Sequence, residues 1–102
     1  MSAMRRQRIE VSIDSDRGVF MISVAAELAH MHPQTLRMYE ARGLIRPQRS
    51  PKNTRLYSQR DVERLQRIQQ LTAEGLNLAG VERVLALERR LSELERKADA
   101  AG

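Results

Sequence analysis

Residues 23–57, SVAAELAHMHPQTLRMYEARGLIRPQRSPKNTRLY, decide the fold. Ser23 is a good helix N-cap, and Val24, Ala25, Leu28, Ala29 and Met31 then outline the apolar face of a first helix of about two turns. Pro33 suits the first position of a new helix and disfavours helical geometry at His32, so the spacing predicts a break at His32. The second helix runs from Pro33 to about Arg42. Leu36, Tyr39 and Glu40 fall on one side of it, and Gln34, Arg37, Met38 and Ala41 spread over the rest. Gly43 supplies the left-handed residue that stops it. Two strands are then expected, Leu44–Pro47 and Thr54–Tyr57, around a tip at Gln48–Asn53. Pro47 and Pro51 confine that pair to an edge hairpin, because proline donates no ladder hydrogen bond.

This order of elements is that of a helix-turn-helix followed by a wing. The first helix braces the second, whose N-terminal end can enter the major groove of DNA. Gln34, Thr35 and Arg37 are the side chains placed to reach base edges and nearby phosphates, although taken alone they also describe an ordinary solvated first turn. Along the second strand Arg55 and Tyr57 share one face and Leu56 takes the other. With Arg49, Lys52, Arg55 and the Tyr57 hydroxyl turned outward, the wing would follow the sugar-phosphate backbone, contributing affinity and position without reading sequence.

Charge is concentrated in the same region. Residues 37–67 hold nine basic residues against three acids, a net of +6, while the whole chain of 102 residues carries +5, so the remainder sums to −1. Such clustering is the footprint expected where phosphates must be neutralised, though some of these arginines will simply solvate helix faces. Sixteen of the 18 basic residues are arginine, whose fork can grip a phosphate or a guanine edge bidentately; a GC-rich genome would produce the same bias.

Outside this stretch the signals are plainer. Residues 1–18 show no helical period and are read as a flexible tail. Ile9, Val11 and Ile13 alternate as a short strand would, and Arg5, Arg6 and Arg8 would suit a minor-groove arm. Val19–Ile22 is a short apolar strand candidate. Ser58 and Asp61 form a capping box opening a third helix, with Val62, Leu65, Ile68 and Leu71 as its buried stripe, Glu74-Gly75 as its end and Asn77 as the cap of a fourth. Arg60, Arg64 and Arg67 either extend the backbone footprint or are exposed helix charge. From Val84 the apolar positions Val84, Leu87, Leu91, Leu94 and Ala98 step by three and four, an a/d seam for homodimerisation too short to be strong alone, with intramolecular packing or fraying as the alternative. The expected organisation is therefore a tail over 1–18, a DNA-binding domain over 19–83 and a short dimerisation helix with a frayed end over 84–102.

The offsets of glycine, proline, tyrosine and arginine in TLRMYEARGLIRPQRSPKNTRLYSQRDVERL resemble the DNA-binding domain of the MerR family over about residues 20–88. The fold class expected is mainly α with a small β-wing, a MerR-type winged helix-turn-helix followed by a short C-terminal coiled-coil helix. Within the family, VFMISVAAELAHMHPQTLRMYEARGLI and EGLNLAGVERVLAL are similar to the heat-shock repressors of the HspR type. The resemblance implies DNA contacts at Thr35, Arg37, Tyr39, Arg49, Arg55 and Tyr57, with Gln34 as a base reader. It also implies repression of chaperone operons at inverted repeats, with the DnaK chaperone as co-repressor; the expected homodimer rests on the a/d seam.

Absences narrow the rest. With no cysteine, disulfides and thiolate metal sites are excluded. The pair His30 and His32 is a weak zinc signal; His32 is better read as a turn or N-cap residue and His30 as a surface one. No cofactor is expected. No nucleophile with a placed base and no glycine-rich phosphate loop is present, so catalysis is not expected. With no apolar run long enough for a membrane span, a cytoplasmic protein acting at the nucleoid and controlled from outside its own chain is expected. Two other classes remain open. One is an architectural DNA-bending or excisionase-like protein working through shape; the other is a protein-interaction adaptor.

Overall fold

The computed structural model describes residues 14–101. The sites where the sequence breaks its helical period become the helix ends: α1 spans Ile22–Leu28 and α2 spans Pro33–Ala41. His32 is the N-cap of α2, its imidazole Nδ1 accepting the Gln34 backbone N–H at 3.0 Å, with Pro33 at the first helical position where a missing donor costs nothing. Gly43, at φ 79°, ends α2 with paired bonds from Gly43 N–H to Glu40 O at 2.9 Å and from Leu44 N–H to Tyr39 O at 3.0 Å. His30 closes α1 in the same manner at φ 59°, a conformation uncommon outside glycine.

Two expectations for α1 are corrected. The helix begins before Ser23, with Met21 as an extended N-cap that makes no side-chain bond. Its buried face is Ala25, Ala26 and Ala29, whereas Val24 and Leu28 are 43% and 41% exposed. Alanines let the backbone of α1 lie close against α2; larger side chains would hold the two helices apart. The Val19–Ile22 strand reduces to one antiparallel bridge, Phe20 with Tyr57, bonded in both directions at 2.9 and 2.7 Å.

The wing also forms later in sequence than expected. β1 is Gln48–Arg49 and β2 is Arg55–Leu56, antiparallel with Gln48 opposite Leu56 and Arg49 opposite Arg55. Leu44 and Ile45 are not strand residues; both are buried in the core, and Pro47 delays pairing until Gln48. At the tip, Ser50 Oγ accepts from the Lys52 and Thr54 backbone N–H groups at 3.2 and 3.1 Å, and Asn53 takes the left-handed conformation at φ 68°.

Residues 14–18, expected within the tail, are instead a strap on the wing. The Gln48 side-chain amide behaves as a peptide group, donating to Asp16 O at 3.1 Å and accepting from Gly18 N–H at 2.7 Å. Arg60 N–H donates to Ser15 O at 3.0 Å, and the Arg60 guanidinium reaches Asp16 at 2.8 Å. A Cβ at Gly18 would lie 2.7 Å from Leu56 O, so only glycine fits beneath β2. The alternating Ile9, Val11 and Ile13 and the basic Arg5, Arg6 and Arg8 lie outside the described residues.

Ser58 opens α3, Gln59–Ala73, with the reciprocal bonds of a capping box: Ser58 N–H to Asp61 Oδ2 and Asp61 N–H to Ser58 Oγ, both 2.9 Å. Val62, Leu65, Ile68 and Leu71 are its buried stripe. Gly75, at φ 102°, follows its end, and Asn77 Oδ1 accepts from Gly80 N–H at 2.9 Å to start α4, Leu78–Ala101. The chain divides into two compact units that part within α3, after Leu65. In the first, Ala25, Ala26, Ala29, Leu36, Tyr39, Leu44, Ile45, Tyr57, Val62 and Leu65 are buried; in the second, Ile68, Leu71, Val81 and Leu85 are. The expected boundary at 83/84 falls inside the uninterrupted α4.

Candidate nucleic-acid interface

The first turn of α2 presents Gln34 and Arg37 to solvent with Thr35 half-buried. Arg37 Nη1 donates to Gln34 Oε1 at 3.2 Å, which holds the two side chains together at the helix's positive end. On the wing, Arg49 and Lys52 are exposed. Arg49 Nη1 donates to Asn53 O at 3.1 Å, so the guanidinium is steadied by its own turn.

Behind these side chains lies a residue that sequence reasoning placed on α2 but gave no role, Glu40. Its Oε1 accepts from Arg55 Nε at 2.8 Å and from the Tyr57 hydroxyl at 3.2 Å, and its Oε2 lies 3.9 Å from Arg49 Nη2. Arg49 and Arg55 are direct cross-strand partners, and like charges so placed repel. The carboxylate between them offsets that repulsion and ties β2 to α2. The available signal was compositional: Glu40 is the only acid between Glu27 and Asp61, in the most basic part of the chain.

The same geometry corrects the outward Tyr57 hydroxyl. Arg55 and Tyr57 do share a face of β2, but that face looks at α2: Tyr57 is 0% exposed and its hydroxyl is spent on Glu40. Burial, then the Glu40 charge and hydrogen bond, push its phenol well above its ordinary value, against a smaller opposite pull from Arg55 and Arg37. Tyr39 is only 4% exposed, so its ring belongs to the core and at most an edge of it can touch a ligand. The arginines of α3 are engaged within the chain as well. Arg60 holds Ser15 and Asp16, Arg64 Nε donates to Leu44 O at 2.6 Å, and Arg67 Nε donates to Glu88 Oε2 at 3.1 Å, a bond that raises the Arg67 pKa. Arg64 and Arg67, half-buried, thus also anchor within the chain, while Arg60, 67% exposed, remains exposed helix charge. Among the described residues no group of three or more histidine or carboxylate side chains is placed to hold a metal, and His32 is occupied as a cap.

Residues 20–88 match the MerR HTH family regulatory protein profile. The chain belongs to the MerR family. A Streptomyces coelicolor protein assigned as the heat shock protein HspR is 46% identical over 94 residues, 91% of this chain and 62% of its own length. The regulator TnrA of Bacillus subtilis is 41% identical over 66 residues, 65% of this chain and 60% of its own length. This MerR-family chain thus spans about three fifths of the curated relatives it matches. Among solved structures, the transcription regulator PbrR691 of Ralstonia metallidurans CH34, crystallised with lead(II), superposes with a TM-score of 0.67 at 31% identity, covering 80% of this chain and 68% of its own. HiNmlR, a MerR family regulator lacking the sensor domain and solved bound to promoter DNA, superposes at 0.63 with 26% identity, covering 78% and 67%. TnrA, PbrR691 and HiNmlR are regulators by name. The mainly helical fold with a two-stranded wing is that of the MerR-type winged helix-turn-helix. No helix among the described residues is long and apolar enough to cross a membrane.

Proposed function

We propose that this MerR-family regulator is a sequence-specific transcriptional repressor of heat-shock and chaperone genes, binding an inverted-repeat operator as a dimer in the cytoplasm. The observation that carries the target class is the 46% identity to the HspR-assigned protein across 91% of the chain. DNA binding is supported by the first turn of α2, with Gln34 and Arg37 exposed and Thr35 half-buried, flanked by the basic wing with Arg49 and Lys52 exposed. In this reading the helix reads base edges and the wing holds phosphates. The dimer is supported by α4, where Leu87, Leu91 and Leu94 are 62%, 56% and 51% exposed and share a seam with Val84 and Ala98. A DnaK-type chaperone acts as co-repressor, a role drawn from the HspR resemblance.

Titration of the full chain against a duplex selected from a random pool, and against a scrambled duplex of equal composition, tests this. A specific complex is expected to be favoured by about 4–10 kcal/mol over the scrambled one. Equal affinity for both across a salt series would replace the repressor with a shape-reading architectural protein. A dimer that forms without any affinity for either duplex would leave an adaptor.

A further inference from the structure

Arg49 and Arg55 look equivalent on the wing: both are basic, cross-strand neighbours, and partly exposed. Their surroundings make them unequal. Arg55 gives its Nε to Glu40 Oε1 at 2.8 Å, a charge-assisted bond to a carboxylate whose side chain is only 19% exposed. Withdrawing Arg55 toward a phosphate would leave that largely buried carboxylate with the Tyr57 hydroxyl and only the more distant Arg49 guanidinium at 3.9 Å, an unfavourable exchange. Arg49 faces the other oxygen at 3.9 Å, beyond hydrogen-bond reach, and its firm bond is to the neutral Asn53 carbonyl. A phosphate can therefore take Arg49 at the cost of one exposed neutral bond and a long ion-pair contact, leaving the Glu40, Arg55 and Tyr57 cluster intact.

We propose that Glu40 is the positioning residue of the wing: it sequesters Arg55 as a tether between β2 and α2, and leaves Arg49 as the phosphate ligand. This division of labour rests on the DNA-binding reading above. Glu40 compensates the charge of one arginine of the pair, so the wing closes on α2 without cross-strand repulsion while one guanidinium remains available to the backbone. The assignment makes an electrostatic prediction opposite in sign to the simple one. An acid beside a phosphate-binding surface should weaken binding by repulsion, so neutralising it should tighten the complex. A positioning carboxylate does the reverse for the specific complex, because the released Arg55 repels Arg49 and the wing leaves α2.

The test uses the full chain, the selected duplex, the scrambled duplex and a series of salt concentrations. Glu40→Gln is expected to weaken the selected duplex about tenfold while binding the scrambled one as tightly as the wild type or more so. Arg49→Ala should lower the slope of log affinity against log salt by about 0.9, the value of one phosphate neutralised. Arg55→Ala should weaken binding with the slope unchanged. Tighter binding of the selected duplex by Glu40→Gln, or a slope lost in Arg55→Ala and kept in Arg49→Ala, overturns the assignment. Should Glu40→Gln lose its helical circular dichroism, the slopes of the two arginine variants decide alone. A wild type that does not discriminate the two duplexes refutes the repressor reading, whereas a discriminating wild type with the wrong slopes refutes only the roles given to Glu40, Arg49 and Arg55.

Discussion

Tyr57→Phe isolates one atom at the junction of wing and helix. The ring stays, fully buried, and the lost hydroxyl is the donor to Glu40 Oε1 at 3.2 Å. A hydrogen bond to a charged acceptor contributes roughly 1.5–3 kcal/mol. Glu40 keeps Arg55 and is reached by some solvent, which places the loss toward the lower end, about 1–2 kcal/mol. For a domain of this size that lowers the melting temperature by about 5–10 °C. Urea unfolding at neutral pH, followed by circular dichroism, should show a lower midpoint at unchanged slope. The pH dependence adds an independent readout. Because the phenol is raised in the folded chain, first by burial and then by Glu40, its contribution is fully present below the ordinary tyrosine value of about 10 and is lost as pH rises beyond it. The wild type should therefore lose stability faster than Tyr57→Phe above pH 10, and the gap between them should narrow. Equal midpoints at neutral pH, or parallel curves through alkaline pH, would refute a buried hydroxyl held by the carboxylate.

Gly18→Ala should cost about 1–3 kcal/mol, since the new methyl meets a backbone carbonyl that cannot yield, and urea midpoints will show it. Ser58→Ala breaks one arm of the capping box and should cost about 1 kcal/mol by the same measurement. Arg60→Ala, whose ion pair with Asp16 is two-thirds exposed at both ends, should change stability by no more than about 1 kcal/mol. Leu91→Asp should lower the dimer fraction in sedimentation velocity while keeping the helical signal; an unchanged dimer would remove α4 from the interface.

Apart from the start of α1, helix ends were legible because their causes are local. His32 before Pro33, Gly43, the Ser58 and Asp61 pair, Gly75 and Asn77 each act within a turn of themselves, and each is found in its expected role. Faces and partners were harder. Val24 and Leu28 look like core by composition, yet Ala25, Ala26 and Ala29 are chosen because α2 approaches closely, a fact of tertiary packing. Alternation correctly put Arg55 and Tyr57 on one face; whether that face meets solvent or α2 depends on Glu40, 15 and 17 residues away. The partners of Arg60, Arg64 and Arg67 lie 45, 20 and 21 residues distant, so no window along the chain could have told anchoring from phosphate contact.

The strap over residues 14–20 also orders events in time. Its partners are the Gln48 amide, Tyr57 and the start of α3, so during synthesis this stretch emerges long before anything exists for it to bind. Strands of two residues each are too short to persist unaided. The wing should consequently be among the last parts of the first unit to form and among the first to open. Backbone amides of Gly18, Val19, Phe20 and Tyr57 should then exchange with solvent together, as one cooperative patch, ahead of the amides in α2.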